Sequence, residues 1–433
     1  MLSFFFHRIL LYDMAGNGLI LRNATEMLTL EGVSRKQGRH ALEEDLGLLK
    51  RASLVCKKGR IEWVGPDSRL PKSYAREGLK EVSAQGRTVL PGFVECHTHS
   101  VFAGDRAVEF EMRNQGASYR EIAAKGGGIL STVKATRKAG LRELAYLTQE
   151  RVNRFLRQGV TTLEIKSGYG LSLKEEIKML EAAGRVKGPR IVRTFLGAHA
   201  VPKEFASAEE YLEYLGTVAL PRIRREKLAE RVDIFIERGF FEGESAELYL
   251  ARARDLGFET VIHADQLSLS GGTAAALKHG SLSADHVIQI QHPEIQRLAR
   301  SEVTSVLLPA ADLYMRCSYP PARALIDAGA RVALATDFNP GTSPTQDLTL
   351  VGLLARLQMK MSLPEVIAAY TVGAAYALGR ASDLGSLELG KYADFLSINE
   401  DWRTLFYSAG HSPEMETYVS GKRISIRSAR ADA

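Results

Sequence analysis

The sequence has few of the features that mark extracellular or membrane-embedded proteins. Its 433 residues include three cysteines, Cys56, Cys96 and Cys317. They are far apart and odd in number, which favours free thiols in a reducing cytoplasm over a disulfide framework. No uninterrupted apolar run approaches the roughly 18 residues that a membrane-spanning helix needs. We therefore expect a cytoplasmic protein with no membrane partner.

A basic block with interleaved aromatic residues is also missing, as are internal repeats and low-complexity segments. The formal net charge is +6, but lysine and arginine are spread along the chain among nearly as many acids. This distribution argues against a nucleic-acid partner and is compatible with a small anionic substrate. With 45% hydrophobic and 25% charged residues, the composition is typical of a soluble globular protein.

The chain starts with an apolar stretch, MLSFFFHRILLYDMAGN, which His7 and Arg8 interrupt. It has no evident basic n-region and no small-residue cleavage site. We interpret residues 1–15 as an extension ahead of the first strand. A degenerate targeting segment is the alternative.

Short β-rich pieces occupy both ends of the chain. Before residue 90 they are GLILRNATEMLTL, ASLVCKKGRIEWVG and KEVSAQGRTVLPG, separated by turn residues such as Lys58-Gly59 and Gly65-Pro66. Near the C-terminus, GSLELGKYADFLSI and ETYVSGKRISIR return to short strands with glycine turns. We predict a small antiparallel sheet at the N-terminus. Residues 1–89 and 386–433 would together form one sheet domain.

The long central region, residues 90–385, alternates apolar β-branched runs with amphipathic stretches of helical period. The predicted strands are GFVECHTH, TTLEIKSGYG, VRTFLGAH, RVDIFIERGF, FETVIHAD, LSADHV, TSVLLP and RVALATD. Helical patterns between them include LKEEIKMLEAAGRV, SAELYLARARDLG, TAAALKHG and PPARALIDAGA. Eight strands with intervening helices predict an α/β protein, a (β/α)8 TIM barrel of about 290 residues.

In a barrel of this kind, chemistry takes place where the strands end at their carboxyl side. Unusual polar residues collect at these positions in the sequence. They are His97 and His99 in the first strand, Lys166 to Tyr169 in the second, His199, Glu237, His263 and His286 in the next four, and Asp337 in the eighth. The remaining histidines, at positions 7, 40, 279, 292 and 411, have no such placement.

Three imidazoles and one carboxylate of this set, from His97, His99, His263 and Asp337, suit a first-row metal ion. Nitrogen and oxygen ligands without thiolate favour zinc or iron over calcium, and they do not choose between the first two. A metal ion with an open position lowers the pKa of bound water to about 7. Asp337 could ligate the metal and accept the proton of that water. His286, with an ordinary pKa of about 6.5, is left to act as acid or base.

Each of these residues also has a structural interpretation. Asp337, in ATDFNPGTSP, lies among turn-forming residues and could serve only as a turn or cap. His199, His286 and Lys166 could be hydrogen-bonded structural groups, and Tyr169 could simply pack. Their joint placement at one end of the predicted barrel favours a functional site.

The motifs around these residues resemble the amidohydrolase superfamily and, within it, the imidazolonepropionase family. They are LPGFVECHTHSVFAGDR, AKGGGI, EIKSGYGL, GAHAVP, HADQLS, SADH, ATDFNPGTSP and GSLELGKYADF, and the likeness runs from about residue 84 to the C-terminus. It implies a metal-bearing barrel with a composite β-sandwich built from both chain ends, one zinc or iron ion per subunit, and a homodimer. The implied reaction is hydrolysis of the cyclic amide of 4-imidazolone-5-propanoate to N-formimidoyl-L-glutamate, a step of histidine degradation.

Residue by residue, the resemblance implies metal ligands at His97, His99, His263 and Asp337, and proton transfer by His286 and Asp337. It places substrate or product contacts at Arg106, Tyr169, His199, Gln266, Asn339, Gly341 and Thr342. The guanidinium of Arg106 would offer a fork of donors to the propanoate carboxylate.

Two departures from related sequences narrow this expectation. Gln266 stands where many zinc deaminases of the superfamily need a glutamate to shuttle protons, and an amide cannot do so. The strand RVDIFIERGF lacks the lysine whose carbamate bridges two metals in dinuclear relatives, so a single metal ion is favoured. Lys166 lies on a different strand and is interpreted as a polar or structural group of the site.

Two rival functions stay open. The first is another cyclic-amide hydrolase or aminohydrolase of the same superfamily, against which Gln266 and the SGYGL and DFNPGTSP loops weigh. The second is a barrel scaffold without catalysis, which we would expect to lack the metal ligands. Metal analysis of the purified protein separates the scaffold from the enzyme.

Overall fold

The computed structural model describes residues 8–11, 18–117, 121 and 127–427. Most of the apolar start and part of the AKGGGI motif lie outside these residues. The strands are β1 Arg8–Leu11, β2 Gly18–Leu28, β3 Leu48–Lys57, β4 Arg60–Pro66, β5 Lys80–Ser83, β6 Thr88–Pro91, β7 Phe93–Glu95, β8 Val160–Lys166, β9 Arg190–Ala198, β10 Arg231–Ile236, β11 Glu259–Ala264, β12 Ser283–His286, β13 Thr304–Leu307, β14 Val332–Leu334, β15 Phe395–Ile398, β16 Met415–Val419 and β17 Lys422–Arg427.

Helices fill the connections between the strands. The α-helices are Glu31–Arg35, Ala107–Asn114, Ile129–Lys138, Leu141–Arg157, Leu173–Arg185, Ala208–Tyr214, Leu220–Arg225, Gly243–Asp255, Gly272–His279, His292–Ala299, Pro309–Met315, Ala322–Ala328, Leu348–Gln358, Leu363–Ala368 and Ala374–Ala377. Single π-helical turns at Leu215–Ala219 and Ala369–Gly373 each join two of them. None of the helices in the described ranges is long and apolar enough to cross a membrane.

Eight parallel strands, β7 to β14, pair in chain order and form the predicted barrel. A parallel bridge between Thr98 and Phe338 links its two ends, and the amide of His99 donates to the carbonyl of Phe338 at 2.9 Å. All eight predicted strands are found, so the (β/α)8 expectation is confirmed. The carboxyl ends of these strands therefore meet at one mouth.

Alternation along the barrel strands separates two environments. In β8, Leu163 and Ile165 join the large apolar cluster between strands and helices, whereas Glu164 and Lys166 point to the barrel axis and meet other polar groups there. Branched apolar residues usually fill such an interior. Here an apolar cluster with Val94, Val192 and Val306 is joined by ionic residues, and Glu164, Lys166 and Asp233 are at most 1% exposed.

The strands of both chain ends join one nine-stranded sheet, as predicted for the composite domain. Most neighbours are antiparallel, as predicted, but β5 and β6 both run parallel to β2, which the sequence analysis did not anticipate. The reason is the connection after β4. It carries the chain back across the sheet, so that β5 enters in the direction of β2, and turn residues in the sequence do not encode that crossing.

The sheet and the barrel share a boundary. Alternate residues of the sheet face two ways: Phe395 packs in the sheet's own core, whereas Leu90 and Leu396 pack in the barrel cluster. The chain passes from β6 into β7 through Gly92, where a Cβ atom would lie 2.3 Å from side-chain atoms of Thr161. Glycine is therefore required where the sheet meets the first barrel strand.

Candidate metal and active site

The four predicted ligands meet at the barrel mouth. Strand β7 ends at Glu95, so His97 and His99 follow the strand, yet both imidazoles turn to the same carboxylate. Their Nε2 atoms each lie 3.4 Å from Oδ1 of Asp337. The ring centroids of His97 and His263 are 4.6 Å apart. Residues from the first, fifth and eighth strands thus converge on one point.

A fifth residue, His286, lies in the same cluster. Its ring centroid is 5.4 Å from that of His263 and 5.8 Å from that of His97. Two sets of side chains could hold an ion, one of His97, His99 and Asp337 and one of His97, His263 and His286, with donor atoms in each set within 4.8 Å of one another. His97 belongs to both sets, so they describe one continuous site.

Unpartnered ring nitrogens show that the residues fit a metal ion. His97 Nε2, His99 Nδ1 and His286 Nδ1 are buried and make no hydrogen bond. Buried polar atoms nearly always have a partner. Nε2 of His97, which lies beside Asp337 Oδ1, is therefore suited to a first-row metal ion.

Two aspartates that the sequence analysis did not single out lie behind the histidines. His97 Nδ1 contacts Asp285 Oδ2 at 2.6 Å, and His263 Nδ1 contacts Asp233 Oδ1 at 3.1 Å. Because an ionised carboxylate only accepts hydrogen bonds, Nδ1 of each ring carries the proton and Nε2 is left for an ion. The signal was present in RVDIFI and SADH, where an acidic residue interrupts a buried strand.

Charges around the cluster reinforce one another. Burial opposes ionisation of Asp337, but His97 and His99 outweigh it and hold the pKa of Asp337 well below its ordinary value. Burial and Lys166 work against a protonated His97, yet Asp285 and Asp337 prevail and raise its pKa to about 9, so a metal ion that binds Nε2 must displace a proton. Asp337 is therefore an anion at neutral pH, as a ligating carboxylate must be.

A cavity of about 470 Å³ opens onto this cluster. It is lined by His99, His263, His286 and Asp337 and by six of the predicted substrate contacts, Arg106, Tyr169, His199, Gln266, Asn339 and Thr342. Gly341 contributes by its missing side chain, since a Cβ atom there would lie 1.9 Å from Nη1 of Arg106. The structure thus places the predicted contacts around one cavity.

His199 and Tyr169 present defined polar atoms. Nδ1 of His199 lies 2.9 Å from the carbonyl of Gly168 and must donate to it, which leaves Nε2 unprotonated. Burial lowers the pKa of His199 to about 3, so the ring is neutral. Burial also raises the pKa of Tyr169, so its hydroxyl keeps the proton. Nε2 of His199 can therefore accept a hydrogen bond from a ligand, and the hydroxyl of Tyr169 can donate one.

The predicted anion anchor has an acidic partner that the sequence analysis missed. Nε of Arg106 donates to Glu109 Oε2 at 2.9 Å, and Nη2 donates to the other carboxylate oxygen. Arg113, on the same helix, also lines the cavity; its Nη2 donates to the Gly341 carbonyl at 3.0 Å, and its Nε is buried without a partner. The signal was the spacing of these three residues by three and four positions, which places them on one helical face.

Asn339 stabilises the loop after the last barrel strand by hydrogen bonds. Its amide oxygen accepts from the backbone of Gly341 at 2.8 Å and of Thr342 at 2.7 Å, and its nitrogen donates to the carbonyl of Asp337 at 2.7 Å. Asp337 itself has a φ of 51°, in the left-handed region that non-glycine residues seldom adopt. Asp337 is therefore both a turn residue and a candidate ligand, because the turn directs its carboxylate toward His97 and His99.

Glu237 has a role that its position alone did not reveal. Its carboxylate accepts from the amides of Leu267 at 2.8 Å and Ser268 at 3.3 Å. These residues follow Gln266, whose amide nitrogen has Met315 Sδ at 3.6 Å as its partner in the described structure. Glu237 thus fixes the loop that carries Gln266 into the cavity.

Comparison with known proteins agrees with this site. The profile of the amidohydrolase family matches residues 88–423. An imidazolonepropionase of Bdellovibrio bacteriovorus is 62% identical over 408 residues, which cover 94% of this chain and 96% of that protein. An imidazolonepropionase of Geobacillus kaustophilus is 42% identical, with 94% and 98% covered. The likeness thus extends well before residue 84, so the expectation of a poor match there is wrong.

Solved structures at low identity share the fold. An adenosine deaminase from Xanthomonas campestris with bound zinc superposes with a TM-score of 0.70 at 18% identity, covering 96% of this chain and 94% of that one. An atrazine chlorohydrolase from Arthrobacter aurescens, complexed with zinc, has a TM-score of 0.67 at 18% identity, with 96% and 97% covered. From its barrel, its cluster of histidines and its extended sequence identity, the chain belongs to the imidazolonepropionase family of amidohydrolases.

Proposed function

We propose that the chain hydrolyses the cyclic amide of 4-imidazolone-5-propanoate to N-formimidoyl-L-glutamate, in the degradation of histidine. The observation that carries this proposal is the cluster of His97, His99, His263, His286 and Asp337 beside a cavity that also presents arginine side chains. Relatives that carry the imidazolonepropionase name at 62% and 42% identity support the choice of substrate.

One zinc or iron ion per subunit, held by His97, His99, His263 and Asp337, belongs to the proposal. Such an ion supplies Lewis acidity, which lowers the pKa of a coordinated water to about 7 and polarises a carbonyl oxygen. The unpartnered imidazole nitrogens of His97 and His99 support this ligand set. Gln266 cannot shuttle protons, and we assign it to orient the substrate amide.

The buried charges favour a divalent cation. Carboxylates of Glu164, Asp233 and Asp285 surround two interior cations, Lys166 and Arg231, and Asp337 adds a further negative charge at the mouth. Burial raises the pKa of the nearby Glu95 to about 8, so that carboxyl is neutral at pH 7. Once a cation has displaced the second proton of His97, the excess of two negative charges equals the charge of one divalent ion, and uncompensated buried charge is costly.

His286 is assigned the transfer of a proton to the departing ring nitrogen. It lines the cavity beside His263. Burial lowers the pKa of His286 to about 3, so the ring enters the reaction neutral. It must therefore accept a proton before it can donate one, whereas Asp337, whose pKa is well below its ordinary value, is the weaker base.

The net charge of two guanidinium groups and one carboxylate in the cavity matches the anionic tail of the substrate. Arg106 and Arg113 against Glu109 leave one net positive charge in the cavity, which matches a single propanoate group. Tyr169 and His199 offer one donor and one acceptor to the flat heterocycle. A small monoanionic ring is therefore a better match to the cavity than a neutral base.

The decisive experiment follows the loss of imidazolonepropanoate with purified protein, with guanine, cytosine and dihydroorotate as competing candidates. We expect turnover of imidazolonepropanoate alone, together with about one equivalent of zinc or iron by metal analysis. Turnover of a competitor in its place would favour another amidohydrolase activity. A protein without stoichiometric metal would favour the scaffold.

Three further expectations belong to the same proposal: a homodimer, a cytoplasmic location, and a division into a barrel of residues 90–385 and a composite domain of residues 1–89 and 386–433. Light scattering after size-exclusion chromatography tests the dimer. Chemical denaturation tests the division, because two separate transitions are expected if the two domains unfold independently.

A further inference from the structure

Lys166 occupies the centre of the barrel interior, below the metal-binding cluster. Its side chain is fully buried at the end of β8, and its Nζ atom lies 2.8 Å from Asp233 Oδ2, 3.1 Å from Glu164 Oε1 and 3.9 Å from Asp285 Oδ2. The function derived above does not use this ammonium group. A buried lysine is expensive unless its environment compensates for it.

Two of the three carboxylates are the ones that hold the histidines. Asp285 Oδ2, which faces Lys166, also contacts His97 Nδ1 at 2.6 Å. Asp233 Oδ2, which faces Lys166 from the other side, also lies 3.0 Å from His263 Nδ1. The ammonium group of Lys166 therefore lies close to both aspartates that contact candidate metal ligands. These ligands, His97 and His263, are 166 positions apart in the chain.

The contacts of Lys166 with these carboxylates are mainly electrostatic. The Nζ atom meets the oxygens at angles too oblique for good hydrogen bonds, and Asp233 Oδ2 and Glu164 Oε1 have no other hydrogen-bond donor in the described structure. The third carboxylate, of Glu164, touches neither histidine and is also neutralised by Arg231 at 3.1 Å. Lys166 is thus the cation closest to both aspartates among the described residues.

We infer that Lys166 is a positioning residue of the metal centre, which holds Asp233 and Asp285 together so that His263 and His97 keep Nε2 directed at the ion. The inference rests on the proposed metal site and extends it to a residue that contacts neither metal nor substrate. Without the ammonium group, carboxylates in the dry interior would repel each other, and one would take up a proton or turn away. Its histidine would then lose its orientation.

The test compares zinc affinity in metal-free protein, by competition with a chromophoric chelator, for the wild type, Lys166→Met and the double variant Lys166→Met/Glu164→Gln. The double variant removes one positive and one negative charge, so the net interior charge is unchanged. Lys178→Met is the matched control: Lys178 is 17% exposed and donates to three backbone carbonyls on the outside of the barrel. Cobalt(II) absorption spectra report the ligand geometry.

We expect both Lys166 variants to bind zinc about 10- to 100-fold more weakly, in line with the loss of a group that orients a ligand. Their cobalt spectra should differ from that of the wild type, and Lys178→Met should match the wild type. Affinity within twofold of the wild type in Lys166→Met would overturn the inference. Recovery of affinity in the double variant would do so too, because Lys166 would then only balance the charge of Glu164.

Folding is checked by circular dichroism. If Lys166→Met does not fold, the double variant decides by the same criteria. If neither folds while Lys178→Met does, the role is structural and the inference is overturned. A wild-type protein that binds no zinc would instead overturn the metal centre itself, which is a different result from tight binding by Lys166→Met.

Discussion

The barrel interior and the core of the composite sheet are both buried, but the barrel interior contains charged side chains whereas the sheet core is apolar. The sheet core is built from Leu19, Leu54, Val89 and Phe395, with the Phe395 ring stacked on Tyr418 at a centroid distance of 4.4 Å. The barrel interior has an apolar cluster of its own, with Val94, Val192 and Val306, and adds charged residues that are just as thoroughly buried. Burial of apolar surface stabilises the sheet directly, whereas buried ion pairs seldom stabilise a fold more than apolar packing would.

This difference indicates that the barrel interior and the sheet core have different roles. Charges inside the barrel orient histidines and carry an excess of negative charge toward the mouth, which is useful only if a cation is bound there. The sheet has no such cluster among its described residues and contributes stability. Substitutions in the two regions should therefore separate loss of function from loss of folding.

The largest effect is expected for Asp337→Asn at the barrel mouth. Asparagine tolerates the left-handed backbone at this position but lacks the negative charge of a ligand. We expect ring-opening activity to fall at least about a thousandfold, equivalent to about 4 kcal/mol, with loss of bound metal and little change in the unfolding temperature of the metal-free protein. Steady-state kinetics and metal analysis measure this. Asp327→Asn, on an exposed helix, is the control; full activity of Asp337→Asn would contradict the ligand set.

The sheet core should respond in the opposite way. Phe395→Ala removes a fully buried ring and leaves a cavity beside Tyr418, so we expect a loss of about 3 kcal/mol in the free energy of unfolding. At temperatures where the protein is folded, kcat and metal content should stay within twofold of the wild type. Chemical denaturation and kinetics test both parts, with Leu389→Ala, at 73% exposure, as the control. A drop in kcat in the folded variant would show that the two regions are coupled.

A smaller effect is expected at the edge of the cavity. In Gly341→Ala the new methyl group would meet Nη1 of Arg106 at 1.9 Å, so the guanidinium must move away from Glu109. We expect KM for imidazolonepropanoate to rise about tenfold with a smaller change in kcat, because the carboxylate contact would be weakened, equivalent to about 1.4 kcal/mol of binding. Gly140→Ala, where the methyl group meets open space, is the control. An unchanged KM would mean that Arg106 does not contact the substrate.

The smallest effect concerns the cost of buried charge near the mouth. Burial raises the pKa of Asp312 from 3.8 to about 8. Above pH 3.8 the unfolded chain loses this proton while the folded protein keeps it, so the free energy of unfolding falls as pH rises toward 8. Asp312→Asn removes this loss, and we expect its Tm advantage over the wild type to be a few degrees and to grow from pH 5 to pH 8. Thermal melts of metal-free protein measure it, and an advantage independent of pH would contradict the assignment.

Much of the fold was predictable because its signals are local. Runs of β-branched residues marked all eight barrel strands, and the polar residues at their ends indicated His97, His263 and Asp337 before any contact was known. The parallel direction of β5 and β6 was not predictable in this way. Turn residues mark where a strand ends, but not the side of the sheet to which the chain returns.

Partners inside the barrel were the other gap. His97 and Asp285 are 188 positions apart, and Arg106 has Glu109 on its guanidinium where the sequence analysis placed only the substrate. Alternation in RVDIFI and VTTLEIK shows which residues share one face of each strand. It did not state which of them meet across the barrel.

The sequence by itself determined the element types, the approximate positions of the barrel strands and the identity of the candidate ligands, since hydrophobic period and residue chemistry are properties of short segments. Only the tertiary structure decided that Lys166 joins Asp233 and Asp285 and that Glu109 holds Arg106. Those pairings depend on closure of the barrel, which brings together side chains that the chain itself keeps far apart.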